Sequence, residues 1–341
     1  MSALILTAAD VARLLDVNAC IAAVEDAFRQ HALGAALPPA VVGLHADAGA
    51  FHIKAAGVNT PAPYFAAKIN GNFSGNHARF GLPTIQGVLV LADLTNGTPL
   101  AIMDSIEITL RRTGAATAVA ARRLALDGPA TVTIIGCGAQ ARAQLECLAA
   151  VRPIVEVFAH DLNAEAAHRF ARDVAPVIGA PIRPGVDLSR ALAASRIVIT
   201  CTTSRRPILF KGQLAPGTFV AAVGADNPEK SEIDPALLAA TKVVADVLDQ
   251  SAAIGDLHQA IATGAMRRED AYGELGDIVT GRKPARQSAG EIFVFDSTGM
   301  ALQDVAAAAV VYERAREQRV GRPVSFNSER PPARRGTSWL G

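Results

Sequence analysis

Thr131-Val132-Thr133-Ile134-Ile135-Gly136-Cys137-Gly138-Ala139-Gln140-Ala141 decides the fold class of this chain. A β-branched apolar run passes directly into a glycine turn and then into an alanine-rich stretch ending at Ala150. That order predicts strand, tight turn and helix. The turn has the form G-x-G-x-x-A, the fingerprint of dinucleotide-binding βαβ units. Gly136 permits the tight turn, Gly138 leaves room for a pyrophosphate against the backbone, and Ala141 lets the helix pack on the strand. The helix N-terminus offers unpaired N–H groups and partial positive charge to phosphates. Gly136, Gly138, Ala139 and Gln140 are therefore expected at the cofactor. The next apolar run, 154–158, ends near Asp161, which lies 161 − 136 = 25 residues past the first glycine. The ribose-binding acid is expected about 20 residues on. A carboxylate there accepts from the ribose 2′-OH and repels a 2′-phosphate, so NAD is expected and NADP disfavoured. The competing reading is a structural glycine turn in another α/β fold.

Working outward, four more apolar runs follow, at 196–200, 218–223, 242–247 and 292–295, separated by alanine-rich helical stretches. Strands alternating with helices imply βαβ units and a doubly wound parallel sheet, the Rossmann type of α/β fold. Their near-continuous apolar character suits strands buried on both faces. Upstream the texture differs. Residues 7–33 read as helical, opened by Thr7 with Asp10 and stopped by Gly34, with Ile21, Val24, Ala27 and Phe28 on one face. Residues 40–103 alternate short apolar runs with Gly, Asn and Pro, and Asn96-Gly97 signals a hairpin. Residues 105–126 are helical again, ended by Asp127-Gly128-Pro129.

The bulk numbers narrow the function classes. A length of 341 residues suits two domains or one large one. Lys and Arg total 33 against 32 Asp and Glu, which leaves no electrostatic footprint for nucleic acid or an anionic membrane. No stretch approaches the roughly 20 apolar residues of a membrane span, and the N-terminus has no signal-peptide pattern. Cys20, Cys137, Cys147 and Cys201 form no CxxC pair and no zinc spacing, so reduced thiols and a cytoplasmic location are expected. His45, His52 and His77 form no metal-ligand spacing, and no metal is expected.

Three further segments are informative: Arg79 to Gly87, Met103 to Thr117 with Arg111-Arg112, and Ala222 to Glu232. With the Gly136 loop and Phe295-Asp296-Ser297-Thr298-Gly299, they resemble, in order from about residue 5 to 315, the ornithine cyclodeaminase/mu-crystallin family. The resemblance implies a Rossmann domain, here residues 119–299, and a mixed α+β substrate and dimerisation domain, here 1–118 with 300–322. Residues 323–341, rich in Arg, Pro and Ser, would be a surface tail. It implies a homodimer acting on a small amino or imino acid. Lys68 would contact substrate and manage protons, Arg112 would bridge substrate carboxylate and cofactor, and Asp226 would be the acid/base aspartate. Thr298 falls at the substrate, and Thr84, Thr202, Val223, Gly224, Lys230 and Ser297 fall at the cofactor. The planar guanidinium of Arg112 suits a carboxylate, and Asp226 follows a strand C-terminus, where such sheets bind ligands.

The chain departs from the family at Leu37-Pro38-Pro39-Ala40-Val41-Val42, where many members carry a carboxylate-binding arginine. In Phe51-His52-Ile53-Lys54-Ala55-Ala56, His52 and Lys54 alternate with apolar neighbours and share one strand face. Lys54 is either a replacement carboxylate anchor or part of a solvent-facing alternation. Cations in this segment fit a side-chain ammonium poorly. The expected activity is therefore NAD(H)-dependent interconversion of an L-amino acid and its imine. The alternatives are a cyclodeaminase with catalytic NAD and a mu-crystallin-like small-ligand binder.

Overall fold

The computed structural model describes residues 2–59 and 62–326. The glycine loop leaves the strand Ala130–Ile135, which lies inside an eight-stranded sheet. Ile154–His160 and then Ile182–Pro184 extend the sheet on one side. Ile197–Thr200, Phe219–Ala222, Phe293–Asp296, Lys242–Ala245 and Gly273–Glu274 follow on the other. Every adjacent pair is parallel. All six apolar runs expected as strands are present. The chain builds outward from Ala130–Ile135 in one direction, then crosses back to its other side. Gly136 therefore opens at the point where the two halves part, the crevice that such sheets offer to ligands. Val132, Ile134, Val198, Ile199, Val220 and Ala221 are fully buried, which is why these runs carry no alternation.

The upstream β-rich region forms a second sheet of seven strands. Its order is Arg322–Ser325, Ser2–Leu6, Pro99–Asp104, Ile85–Asp93, Tyr64–Asn72, Gly49–Val58 and Ala40–Ala46. Pairing is antiparallel except between Ser2–Leu6 and Pro99–Asp104. The expected hairpin at Asn96-Gly97 joins Ile85–Asp93 to Pro99–Asp104, with Gly97 at φ +74°. Alternate residues take opposite faces. On one face Ala56, Ala66, Leu89, Leu91 and Met103 are buried in a core shared with the helices Val17–Ala32, Ser105–Leu124 and Ala301–Gln318. On the other face Val42, Leu44, Phe51, Ile69 and Val88 are exposed.

The structure differs from expectation in three places. The helical stretch 7–33 is two helices, Ala8–Leu14 and Val17–Ala32, because Asp16 caps a new start by accepting from the Ala19 N–H at 2.9 Å. The expected surface tail begins instead as the strand Arg322–Ser325, paired with Ser2–Leu6, because the N-terminal strand offers a free edge. The tail from residue 327 lies outside the described residues. The expected domain boundary at 118/119 falls inside one helix, Ser105–Leu124, which serves both halves. A Cβ on Gly114 would sit 2.5 Å from the Ala143 carbonyl oxygen, so this helix and Ala139–Ala149 meet backbone to backbone.

Candidate active site between the two sheets

In the register of Gly49–Val58 on Tyr64–Asn72, Lys54 stands opposite Lys68 and His52 opposite Asn70. These four share the face that continues, at Ala56 and Ala66, into the buried core. Lys68 is only 4 % exposed. Its Nζ lies 2.8 Å from Asp304 Oδ2 and donates to Thr109 Oγ1 at 3.2 Å. Burial pushes the Lys68 ammonium down to about 7; Asp304 opposes the shift, while Arg112 and Lys54 reinforce it. Lys54 is half-buried, with its ammonium turned inward. Its Nζ donates to the carbonyls of Thr298, at 3.1 Å, and Gly299, at 2.8 Å. Burial, with Arg112 nearby, also holds Lys54 below its ordinary value.

Arg112 is buried on the helix Ser105–Leu124. Its Nε donates to Asp304 Oδ1 at 3.0 Å and its Nη1 to Gln303 Oε1 at 3.0 Å. Gly299, at φ +85°, lies flat against the guanidinium; a Cβ there would sit 2.7 Å from Nη1. Arg111, by contrast, donates to the Leu15 carbonyl at 2.6 Å, a structural contact. The residue joining these cations is Asp304, which sequence reasoning missed. One carboxylate oxygen meets Lys68 and the other Arg112. Burial favours the neutral acid, but Lys68 and Arg112 more than offset it and hold the carboxyl below its usual range. A signal existed: Gln303-Asp304 interrupts the otherwise apolar first three turns of the helix Ala301–Gln318, shortly after Ser297-Thr298-Gly299. A charge on such a face requires a partner.

Across the cleft, Gly136 takes φ +92°, and a Cβ would fall 2.8 Å from the Cys201 carbonyl oxygen. Gly138 and Ala139 are exposed. No side chain caps the helix Ala139–Ala149, and no atom lies within 4 Å of where a Gly138 Cβ would stand. This is a cradle open to phosphate. Gln140 turns away, its Nε2 donating to the Leu110 carbonyl at 3.3 Å. Asp161 sits beside the loop, where its Oδ2 accepts from the Cys137 N–H at 2.8 Å and its Oδ1 from the Asn163 N–H at 2.8 Å. Ser297 Oγ is buried with no protein partner, an orphan atom that a bound group would satisfy. The cradle, the acid after the second strand and this hydroxyl fit a nicotinamide dinucleotide.

Other expected residues are distributed less directly. Thr298 Oγ1 donates to Asp246 Oδ1 at 2.8 Å, so its carbonyl, not its hydroxyl, meets Lys54. Lys230 pairs with Asp226 at 2.6 Å. Asp226 stands at the mouth of the cleft with its side chain 55 % exposed, yet desolvation by surrounding protein is still the largest influence and raises it. Lys230, with Lys54 and His52 beyond it, lowers it more, so the carboxyl lies below its usual value. Val223 is buried just past the strand Phe219–Ala222. Thr84 is exposed on the second sheet's side, its carbonyl accepting from Phe73 N–H at 2.8 Å.

A second missed feature lies beneath the crevice. Glu232 is fully buried, accepting from Thr200 Oγ1 at 2.7 Å, Thr202 N–H at 2.6 Å and Gly224 N–H at 2.7 Å. Asp256 Oδ1 accepts from the Glu232 and Ile233 N–H groups, at 2.7 and 3.0 Å. Asp296 in turn accepts from the Asp256 and Leu257 N–H groups, at 3.3 and 2.9 Å. Asp246 Oδ2 accepts from Gly299 N–H at 2.6 Å. These carboxylates tie the loops at Thr202, Gly224 and Gly299 into one frame. Burial raises all four, Asp256 to about 7, with the charge of Glu232 adding to that shift.

The comparisons with known proteins agree with this geometry. Residues 1–319 match the ornithine cyclodeaminase/mu-crystallin family. The chain belongs to that family. An archaeal alanine dehydrogenase dimer with bound NAD superposes with a TM-score of 0.91 at 37 % identity, over 96 % of this chain and 100 % of that one. The Thermococcus litoralis Δ1-pyrroline-2-carboxylate reductase, in complex with NADH and L-proline, gives 0.90 at 30 % identity, over 94 % and 100 %. The Paracoccus denitrificans iminosuccinate reductase, in complex with NAD+, gives 0.88 at 30 % identity, over 96 % and 100 %. The family membership and fold expected from the motifs are those found.

Proposed function

We propose that this protein is an NAD(H)-dependent oxidoreductase that interconverts an L-amino acid and its imine. The observation that carries this reading is Lys68, a buried ammonium with a value near 7, held between Asp304 and Thr109 on a wall facing the glycine-loop crevice. A lysine tuned this way exchanges protons near neutral pH. The three solved relatives, which bind NAD, NADH or NAD+, support the cofactor. A bound nicotinamide would supply the hydride chemistry between the substrate Cα and the imine carbon.

The chain's residues supply the rest. Arg112 grips the substrate carboxylate, and Lys54 adds a second cation to the substrate side of the cleft. Lys68 takes the proton released at the substrate nitrogen on oxidation and returns it on reduction. Asp226, at the mouth, serves as the further acid/base. Gly136, Gly138, Ala139 and the backbone of Gln140 hold the pyrophosphate, and Asp161 receives the ribose hydroxyls. Thr84, Thr202, Val223, Gly224, Lys230 and Ser297 complete the dinucleotide wall, with Thr298 presenting its carbonyl on the substrate side.

The working form is a homodimer. In cross-strand register, Val42, Ile53, Ile69 and Val88 form an apolar row across four strands of the second sheet's outer face. A flat apolar face of this kind is what an isologous interface buries, and the archaeal alanine dehydrogenase is a dimer. No helix among the described residues is long and apolar enough to cross a membrane, and the reading places the enzyme in the cytoplasm. The test is a screen of amino acids and cyclic imines, read by NADH absorbance. Net NADH formation or consumption supports the reading. Ammonia release with catalytic NAD and no net reduction would identify a cyclodeaminase instead. Tight NADH binding without turnover would identify a ligand binder.

A further inference from the structure

The cleft carries more positive charge than the protein answers. Lys54, Lys68 and Arg112 stand together on one side of it, and Asp304 gives one oxygen to Lys68 and the other to Arg112. Lys54 is left with two backbone carbonyls and, among the described residues, no carboxylate within ion-pair distance. It also stands directly opposite Lys68, an arrangement that like charges disfavour. At the mouth Lys230 occupies Asp226, at 2.6 Å, so the second carboxylate facing the cleft is also taken. His52 lies two residues from Lys54 on the same face, about 7 Å along the strand. Beyond His52, Gly43 is its cross-strand partner, with no atom within 4 Å of where a side chain would stand. The face beside Lys54 is therefore cationic, and open next to His52.

We propose that the substrate is a dicarboxylic amino acid and its imine, the α-carboxylate on Arg112 and the side-chain carboxylate on Lys54 and His52. This rests on the oxidoreductase reading above. Lys54 then serves the side chain rather than replacing the missing α-carboxylate arginine. The second carboxylate supplies the counter-charge that Lys54 lacks, in a desolvated place where such a pair is strong. A neutral side chain would leave the half-buried Lys54 ammonium with its two carbonyls and no ion pair. Site selectivity built on an unpaired buried polar group is large.

The experiment compares kcat/KM for oxidation of L-aspartate and L-glutamate with that for L-alanine and L-proline. Reductive amination of oxaloacetate and 2-oxoglutarate is compared with that of pyruvate in the same way. The expected result is at least about a tenfold preference for a dicarboxylic substrate, and a fall in that ratio of about tenfold in Lys54→Met. A preference for alanine, proline or pyruvate overturns the inference while leaving the oxidoreductase reading intact. Absence of redox turnover with every substrate, with NADH still bound, overturns both. If Lys54→Met does not fold, the wild-type ratio alone decides.

Discussion

Lys54 and Lys68 stand directly opposite each other on adjacent antiparallel strands, both turned into the cleft. Two ammonium groups in that relation repel, and Lys54 weakens the hold of Lys68 on its proton. The fold tolerates the pair because Asp304 meets Lys68 and two carbonyls receive Lys54. The cost is retained in the resting protein, and the result is a lysine that titrates near neutrality where proton transfer is wanted.

The pH profile should show this directly. With Lys68 at about 7, amino acid oxidation needs the free amine, so kcat/KM rises as pH passes through 7, while imine reduction falls. Lys54→Met removes one cation and should move that midpoint to higher pH. An unmoved midpoint would show that the two lysines are not coupled. The same group affects stability. Unfolded lysine keeps its proton to about 10.4, so between pH 7 and that value the unfolded chain binds more protons. In that window Lys68 therefore makes the folded state more stable as pH rises.

Asp304→Asn should be severe. The change leaves Lys68 and Arg112 buried without their shared carboxylate, and breaking a buried pair costs about 3–5 kcal/mol. Expected outcomes are a lower Tm and a loss in kcat/KM on the order of 10²-fold or more. The pH midpoint should also move to lower pH, since Asp304 is what raises Lys68. A merely structural role would lower Tm without moving the midpoint.

Asp256 sets up the opposite sign. Its folded value, about 7, lies above that of a free carboxyl, so the folded chain binds more protons between about 3.9 and 7. The stability it contributes is present at low pH and is lost as pH rises through 7. Asp256→Asn is neutral at every pH, and its carbonyl oxygen can still accept from the Glu232 and Ile233 N–H groups. The variant should unfold no earlier than wild type at pH 8, measured by thermal melts. A markedly lower Tm at pH 8 would mean that the ionised carboxylate stabilises the fold there and that its value lies below about 7.

Asp161→Ser should relax cofactor choice. The substitution removes the charge that opposes a 2′-phosphate and also the acceptor for the Cys137 N–H. We expect the NADH-to-NADPH ratio of kcat/KM to fall at least about tenfold, a shift of ~1.4 kcal/mol, with some loss of NADH affinity. An unchanged ratio would remove Asp161 from the discrimination.

The sequence by itself determined the parts of this protein whose causes are local. The run from Thr131 to Ala141 could be read because strand, tight turn and helix depend on β-branching, a positive φ at Gly136 and the small size of Ala141, all within eleven consecutive residues. Thr7 with Asp10, and the hairpin at Asn96-Gly97, were legible for the same reason. The short strand Ser2–Leu6 was not, because its identity comes from partners about 100 and 320 residues away. The site divides likewise. Lys68, Arg112 and Asp226 were marked by their motifs, but the charge that organises the two buried cations was not. Asp304 reaches Arg112 across 192 residues of chain, and no periodicity reports such a distance. Only the tertiary structure set Lys54 against Lys68, since strand register is decided by which face the core buries. It likewise stacked Glu232, Asp256, Asp296 and Asp246 beneath the crevice, because the charge a buried carboxylate carries depends on what surrounds it in space.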